Sequence, residues 1–183
     1  MKKIIIGQGA ALFLDRDGVI NRRIPGDYVK NPSEFEFLKG VPEAIKIFNL
    51  YFSCVVVVTN QQGIGKGLFT EDQLKNVHLN MRLELARKGA LIHHVYFCPE
   101  LENLKDNCRK PNPNMAIWAK RDFPTIDFSN AVMAGDSASD IEFAKNCGMQ
   151  SVLIDTKLGE LARCTPDFVF SGLIEMSQNL MFM

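Results

Sequence analysis

Two apolar runs set the limits on how this chain can fold. Cys54-Val55-Val56-Val57-Val58-Thr59 is apolar and β-branched almost without a break, and Ala11-Leu12-Phe13-Leu14 is a shorter run of the same kind. A strand with one wet face alternates between apolar and polar residues. A run without polar positions reads as a strand covered on both faces, as inside a parallel sheet. Each run stops at a polar turn: Asp15-Arg16-Asp17-Gly18 after the first, and Asn60 to Gly67, rich in glycine, after the second. In open α/β sheets ligands bind beyond the carboxyl ends of the strands, so these turns are where chemistry is expected.

The remaining segments alternate in the same sense. Further strands are expected at His94–Cys98, Ala131–Ala134, Ser151–Asp155 and Asp167–Phe170. Helices are expected from Gly40 to about Leu50, from Thr70 to about Lys88, and over Pro113–Arg121, Ser137–Cys147 and Leu173–Leu180. Thr70 followed by Gln73 is a capping box, and Gly148 is a helix stop. Strand–helix alternation with right-handed crossovers predicts an α/β fold: a Rossmann-like three-layer sandwich around a central, mostly parallel sheet. The chain of 183 residues suits one such domain, 1–183. Arg22–Lys39 has no clear period, and a long loop of that kind is usually functional. Lys3-Ile4-Ile5-Ile6-Gly7-Gln8-Gly9 superficially opens like a dinucleotide fold, but Leu12 stands at the third glycine and a strand follows in place of a helix. That reading is rejected.

Composition excludes several classes. Lys plus Arg equals Asp plus Glu at 21 each, so net charge offers no footprint for nucleic acid or an anionic membrane. Hydrophobic content of 46% and charged content of 23% are those of an ordinary globular protein. No apolar stretch approaches the roughly 20 residues of a membrane helix, and the opening residues are too short an apolar run, broken by Gly7 and Gly9, for a signal peptide. A cytoplasmic protein is expected, a monomer or a small homo-oligomer. Its five scattered cysteines, an odd number without framework spacing, are expected as reduced thiols.

Strand alternation points Asp15 and Asp17 the same way, with Arg16 turned aside. Two carboxylates so close need a counter-cation, and a hard divalent ion such as Mg²⁺ supplies one while also holding a phosphate. Thr59-Asn60, Arg109-Lys110-Pro111, and Asp136-Ser137 with Asp140 follow later strands. Singly these read as a solvated turn, a strand-end hydroxyl, a surface lysine and a helix N-cap. Together they offer a nucleophile, a proton carrier, a hydroxyl, a cation and a third carboxylate, the set that phosphoryl transfer uses. Lys66 within Gly63–Gly67 hints at a phosphate-binding loop for a nucleoside triphosphate. Asn60 and Gly67 stand where a glycine and a Ser or Thr belong, which argues against it.

LFLDRDGVI, VVVVTN, RKP and MAGDSASD, in this order, resemble the motifs of the haloacid dehalogenase (HAD) superfamily of phosphatases. The resemblance implies Asp15 as nucleophile, Asp17 as general acid and base, Thr59 as a donor to the phosphoryl group, and Lys110 as partner of both nucleophile and phosphate. It implies Mg²⁺ held by Asp15, the Asp17 carbonyl and Asp136, with Asp140 holding Lys110 or a water of the metal. The gaps between motifs leave no room for a large cap domain, so loops Arg22–Lys39, Gln61–Leu68 and Pro99–Arg109 would cover the site. FLDRDGVIN, DYVKNPSEFEFLKGV, VVVVTNQQGIGKGLFTE, YFCP and CRKPNPNM are similar to the D-glycero-D-manno-heptose 1,7-bisphosphate phosphatases and the related histidinol-phosphatase domains. Gly26-Asp27-Tyr28-Val29 with Phe35-Glu36-Phe37 favours the heptose branch. A phosphosugar substrate losing its C7 phosphate is implied, with Asn60, Arg109, Lys66 and Ser137 as its contacts. Histidinol phosphate is the alternative substrate, and a catalytically idle phosphate-binding protein is the alternative class.

That family commonly carries a zinc loop. Here Cys98 and Cys108 remain, but Glu100 and Asp106 replace the other two ligands, so structural zinc is not expected.

Overall fold

The computed structural model describes residues 3–154 and 163–183. Eight strands are present among them: β1 (Ile4–Ile6), β2 (Ala11–Leu14), β3 (Cys54–Asn60), β4 (His94–Cys98), β5 (Ala131–Gly135), β6 (Gln150–Ile154), β7 (Phe168–Phe170) and β8 (Leu180–Phe182). The helices are α1 (Val41–Tyr51), α2 (Glu71–Arg87), α3 (Asn114–Asp122), α4 (Ala138–Cys147) and α5 (Leu173–Gln178). Six strands form one sheet in the order β4-β3-β2-β5-β6-β7, every pair parallel. Asp155, expected in the fifth strand, lies outside the described residues.

The uninterrupted apolar runs are explained by two cores, one on each face of this sheet. Leu12, Leu14, Val55 and Val57 face α1, α2 and α5 through Ala44, Ile45, Phe48, Met81, Leu85 and Met176. The alternate residues Ala11, Phe13, Val56 and Val58 face α3 and α4 through Met115, Ala116, Ala119, Phe143 and Ala144. Residues two apart on a strand share a face, so both sets must be apolar when helices cover both sides. In α1, Val41, Ala44, Ile45 and Phe48 recur at helical spacing and form the buried stripe. The capping box of α2 is made in both directions, Gln73 N donating to Thr70 Oγ1 at 3.2 Å and Thr70 N to Gln73 Oε1 at 2.7 Å. Gly148, at φ 74°, closes α4 in the left-handed region where other residues are strained.

One expectation changes near Leu180. The last helix stops at Gln178, and Leu180–Phe182 leaves it to pair in parallel with Ile4–Ile6. Local periodicity could not reveal this, because the partner strand comes from the opposite end of the chain. It also gives Ile4 and Ile6, both buried, a place in the core under α5. Arg22–Lys39 is ordered by backbone pairing, Arg22 N donating to Glu36 O at 2.8 Å and Leu38 N to Ile20 O at 3.0 Å. Among the described residues no cap domain interrupts the sandwich, and no helix is long and apolar enough to cross a membrane.

Phe13 is fully buried in the central strand, edge-on to Phe128. Phe13→Ala is expected to lower unfolding free energy by about 3–5 kcal/mol, read from urea denaturation at unchanged m-value.

Candidate active site

Strand β2 pairs with β3 on one side and β5 on the other, so chain order reverses beside it and a crevice opens at its carboxyl end. Asp15 leaves β2 with its N–H donating to Ala134 O at 2.9 Å, which locks the first carboxylate against the end of β5. Asp136 follows β5 directly, and Asp140 lies in the first turn of α4. Two glycines make this crowding possible. A side chain at Gly18, at φ 96°, would collide with the Asp136 carboxylate, and one at Gly135 would collide with Asp140.

Lys110 is the cation at the centre. Its buried ammonium reaches Asp15 Oδ1 at 2.7 Å, Asp140 Oδ1 at 2.6 Å and Val58 O at 2.8 Å, which uses all three donors. Burial opposes its charge, but Asp140 and Asp15 outweigh that and hold the lysine above its ordinary pKa. Its backbone is clamped as well: Lys110 N donates to Asn60 Oδ1 at 2.9 Å and Asn60 Nδ2 to Lys110 O at 3.2 Å. Asn60 therefore lines the cavity with its amide engaged on Lys110. Ser137 likewise caps α4, its Oγ donating to Asp140 Oδ2 at 2.6 Å and its N–H to the same oxygen at 3.1 Å.

Asp17 is held by a separate set of residues that sequence reading missed. Its carboxylate accepts from Arg16 Nη2 at 2.8 Å, Asn21 Nδ2 at 3.0 Å and Gln61 Nε2 at 2.8 Å. Gln61 Nε2 also donates to Thr59 Oγ1 at 2.9 Å, tying the proposed hydroxyl donor to the proposed acid. Arg16 is not turned toward solvent: it is fully buried, and its Nη1 donates to His78 Nε2 at 2.9 Å. Burial and the neighbouring guanidinium push His78 well below the ordinary histidine value, so the ring is neutral and can accept that bond. Burial alone would raise Asp17, but Arg16 and the hydrogen bonds from Asn21 and Gln61 overcome it and hold the carboxyl low. The signal available in the sequence was weak. Only Arg16, between two aspartates, could have drawn notice.

The cavity above these groups has a volume of about 500 Å³ and is lined by Asp15, Asp17, Thr59, Asn60, Lys110, Ser137 and Asp140. Arg23, Lys66 and Arg109 add positive charge to its walls. Arg109 Nη1 is buried without a hydrogen-bond partner, a donor suited to an anionic ligand.

The donor set suits a hard divalent cation. Carboxylate oxygens of Asp15, Asp136 and Asp140 lie within 4.8 Å of one another. A single nitrogen, Arg23 Nη2, reaches both Asp17 O at 2.9 Å and Asp136 Oδ1 at 2.6 Å, so those two oxygens already converge on one cation. Burial above all, with smaller contributions from Asp140, Asp136 and Asp17, raises the Asp15 carboxyl despite Lys110. Oxygen-only ligands of this kind are those Mg²⁺ takes.

One expectation is corrected at the rim. Cys98 and Cys108, expected as free thiols, are joined in a disulfide with Cα atoms 5.6 Å apart. Glu100 Oε2 accepts from Cys108 N at 2.6 Å and closes the same loop. Cys98, Glu100 and Cys108 place their donor atoms together, while Asp106 sits apart from them in the left-handed region at φ 58°.

A parallel sandwich with an Asp-x-Asp after its central strand and a buried lysine bridging two further carboxylates is the arrangement of HAD-type hydrolases. Residues 107–176 match the HAD-hydrolase-like family. The chain is 41% identical over 141 residues to the D-glycero-alpha-D-manno-heptose-1,7-bisphosphate 7-phosphatase of Mycobacterium bovis, covering 76% of this chain and 74% of that one. It is 35% identical over 179 residues to the D-glycero-beta-D-manno-heptose-1,7-bisphosphate 7-phosphatase of Escherichia coli K12, covering 92% of each. Among solved structures it resembles the D,D-heptose 1,7-bisphosphate phosphatase of B. bronchiseptica complexed with magnesium and phosphate. The TM-score is 0.83 at 31% identity, over 92% of this chain and 96% of that one. The chain belongs to the heptose-1,7-bisphosphate 7-phosphatase family.

Asp17 makes its site acid-sensitive. A carboxyl held low in the fold contributes stability above its unfolded pKa near 4, and that contribution is lost as pH falls through the lower folded value. Asp17→Asn is therefore expected to be less stable than the parent at pH 7, with the difference shrinking toward pH 2. Urea midpoints across that range measure it, and a constant gap would contradict the assignment.

Proposed function

We propose that this protein is a Mg²⁺-dependent phosphatase that removes the C7 phosphate of D-glycero-D-manno-heptose 1,7-bisphosphate by way of a phosphorylated Asp15. The observation that carries the reading is the buried ion pair of Lys110 with Asp15 Oδ1 at 2.7 Å. It fixes one carboxylate oxygen and leaves the other for attack at the floor of a cavity whose walls are basic. Relatives named for this activity, and a solved relative with magnesium and phosphate bound, support the choice of substrate and ion.

The free oxygen of Asp15 attacks phosphorus, the bond from phosphorus to the C7 oxygen breaks, and Asp17 gives that oxygen a proton. Asp17 then takes a proton from the water that attacks the phosphoryl group. The bond to Asp15 breaks, phosphate leaves, and the enzyme is regenerated. Asp17 starts low, and a phosphate dianion arriving beside it raises the carboxyl toward the range where it can carry a proton. Thr59 donates to the phosphoryl oxygens, Lys110 sets its positive charge beside them, and Asp140 keeps the ammonium aligned. Asp15, Asp136 and the Asp17 carbonyl would hold Mg²⁺, which when bound neutralises charge on the phosphoryl oxygens and the clustered carboxylates. Arg109 and Lys66, with the unpaired Nη1 of Arg109 foremost, are the hands for the second phosphate. Residues 1–183 are read as one catalytic domain acting in the cytoplasm on a small molecule.

Phosphate release should be compared across both anomers of heptose 1,7-bisphosphate, heptose 1-phosphate and histidinol phosphate, with Mg²⁺ and with a chelator. The bisphosphate is expected to turn over fastest, to yield one phosphate, and to fail under chelation. Asp15→Asn is expected to lower turnover by at least about a thousandfold, and Asp17→Asn by about a hundredfold or more. Faster turnover of histidinol phosphate would overturn the substrate. Absence of turnover throughout would favour a binding protein instead.

A further inference from the structure

We infer that Arg23 is a tethered competitor of the metal, a resident cation that Mg²⁺ must displace before the site is complete. The inference rests on the metal assignment above and goes beyond it. Arg23 Nη2 donates to Asp17 O at 2.9 Å and to Asp136 Oδ1 at 2.6 Å, and its Nε also donates to Asp17 O at 3.2 Å. These are two of the oxygens assigned to the ion, and one nitrogen spans both. Mg²⁺ binds oxygen at about 2.0–2.1 Å in a near-octahedral shell. An ion held between the same two oxygens would lie against that nitrogen, and two cations do not share such a point.

The position of Arg23 makes displacement feasible. Asp136 is almost fully buried in its side chain, whereas the Arg23 side chain is 42% exposed. The fixed partner is thus the carboxylate and the movable one is the arginine. Arg23 follows the rigid turn Gly18–Asn21 and precedes Pro25-Gly26, where Gly26 at φ 73° has open space around it. The guanidinium can swing away while its backbone stays on the cavity wall. Arg23 also supplies countercharge to Asp136 before the ion arrives. Each Mg²⁺ bound must then repay the loss of this ion pair, and metal affinity is set lower than the carboxylates alone would give.

Calorimetric titration with Mg²⁺ alone, without substrate, tests this on the parent protein, Arg23→Gln and Asp136→Asn. Arg23→Gln is expected to bind Mg²⁺ about three- to tenfold tighter, the range for removing a partly exposed ion pair with a charge-assisted hydrogen bond. The Mg²⁺-induced rise in its unfolding temperature is expected to exceed the parent's, a second readout that also reports folding. Asp136→Asn is expected to lose most of the affinity. Equal or weaker Mg²⁺ binding by a folded Arg23→Gln, with Asp136→Asn still impaired, overturns the competition alone. Failure of the parent to bind Mg²⁺ overturns the metal assignment and the inference with it.

Discussion

A lysine ammonium in a protein interior is stable only if every donor finds an acceptor and its charge is met nearby. Lys110 satisfies this with Asp15, Asp140 and Val58 O. Those partners belong to the end of β2, the first turns of α4 and the end of β3, while Lys110 arrives on the loop after β4. One buried cation therefore sets the relative positions of four segments. Removing either carboxylate would leave the buried ammonium one acceptor short, although the other carboxylate would still balance its charge. The same demand explains why Asn60 spends its amide on the Lys110 backbone and Ser137 its hydroxyl on Asp140: both residues serve the lysine and its partner.

Around Asp17 a second, independent set of bonds works toward a different end. Arg16, Asn21 and Gln61 stabilise its anion, and neutral His78 completes the coordination of the buried Arg16. Asp15 and Asp17 are two residues apart, yet their surroundings push their acidities in opposite directions, one raised and one lowered. Pairs of titratable groups driven apart in this way are where acid–base and nucleophilic roles separate. Lys66 and Arg109 at the cavity wall belong to neither set, which leaves them available for ligands, whereas Arg23 rests on Asp17 O and Asp136.

Much of this was legible in the residues themselves. Val55–Val58 and Leu12–Leu14 had to be strands covered on both faces, and Asp15, Asp136 and Asp140 could be placed because each follows such a run. Lys110 was recognisable only through its order relative to the others. The missed features share a physical cause: their partners are distant in the chain. Nothing local marks His78 as the acceptor for Arg16, or Arg23 as a neighbour of Asp136. Nothing local predicts that Leu180–Phe182 should abandon a helix to pair with Ile4–Ile6. Cys98 and Cys108 carried no framework spacing, and only the path of the loop after β4 brings them into bonding distance. Asn60 and Ser137 were recognised as site residues, but their side chains are engaged in holding the site together.

The central claim is that Asp15, held by Lys110, receives the phosphoryl group. It is tested most directly by quenching the enzyme during turnover of heptose 1,7-bisphosphate, reducing any acyl phosphate with tritiated borohydride, and mapping the label to a residue. The account predicts label at Asp15, converted to homoserine, in proportion to enzyme engaged in turnover. Label at Asp17, or phosphate release with no label at all, would contradict it.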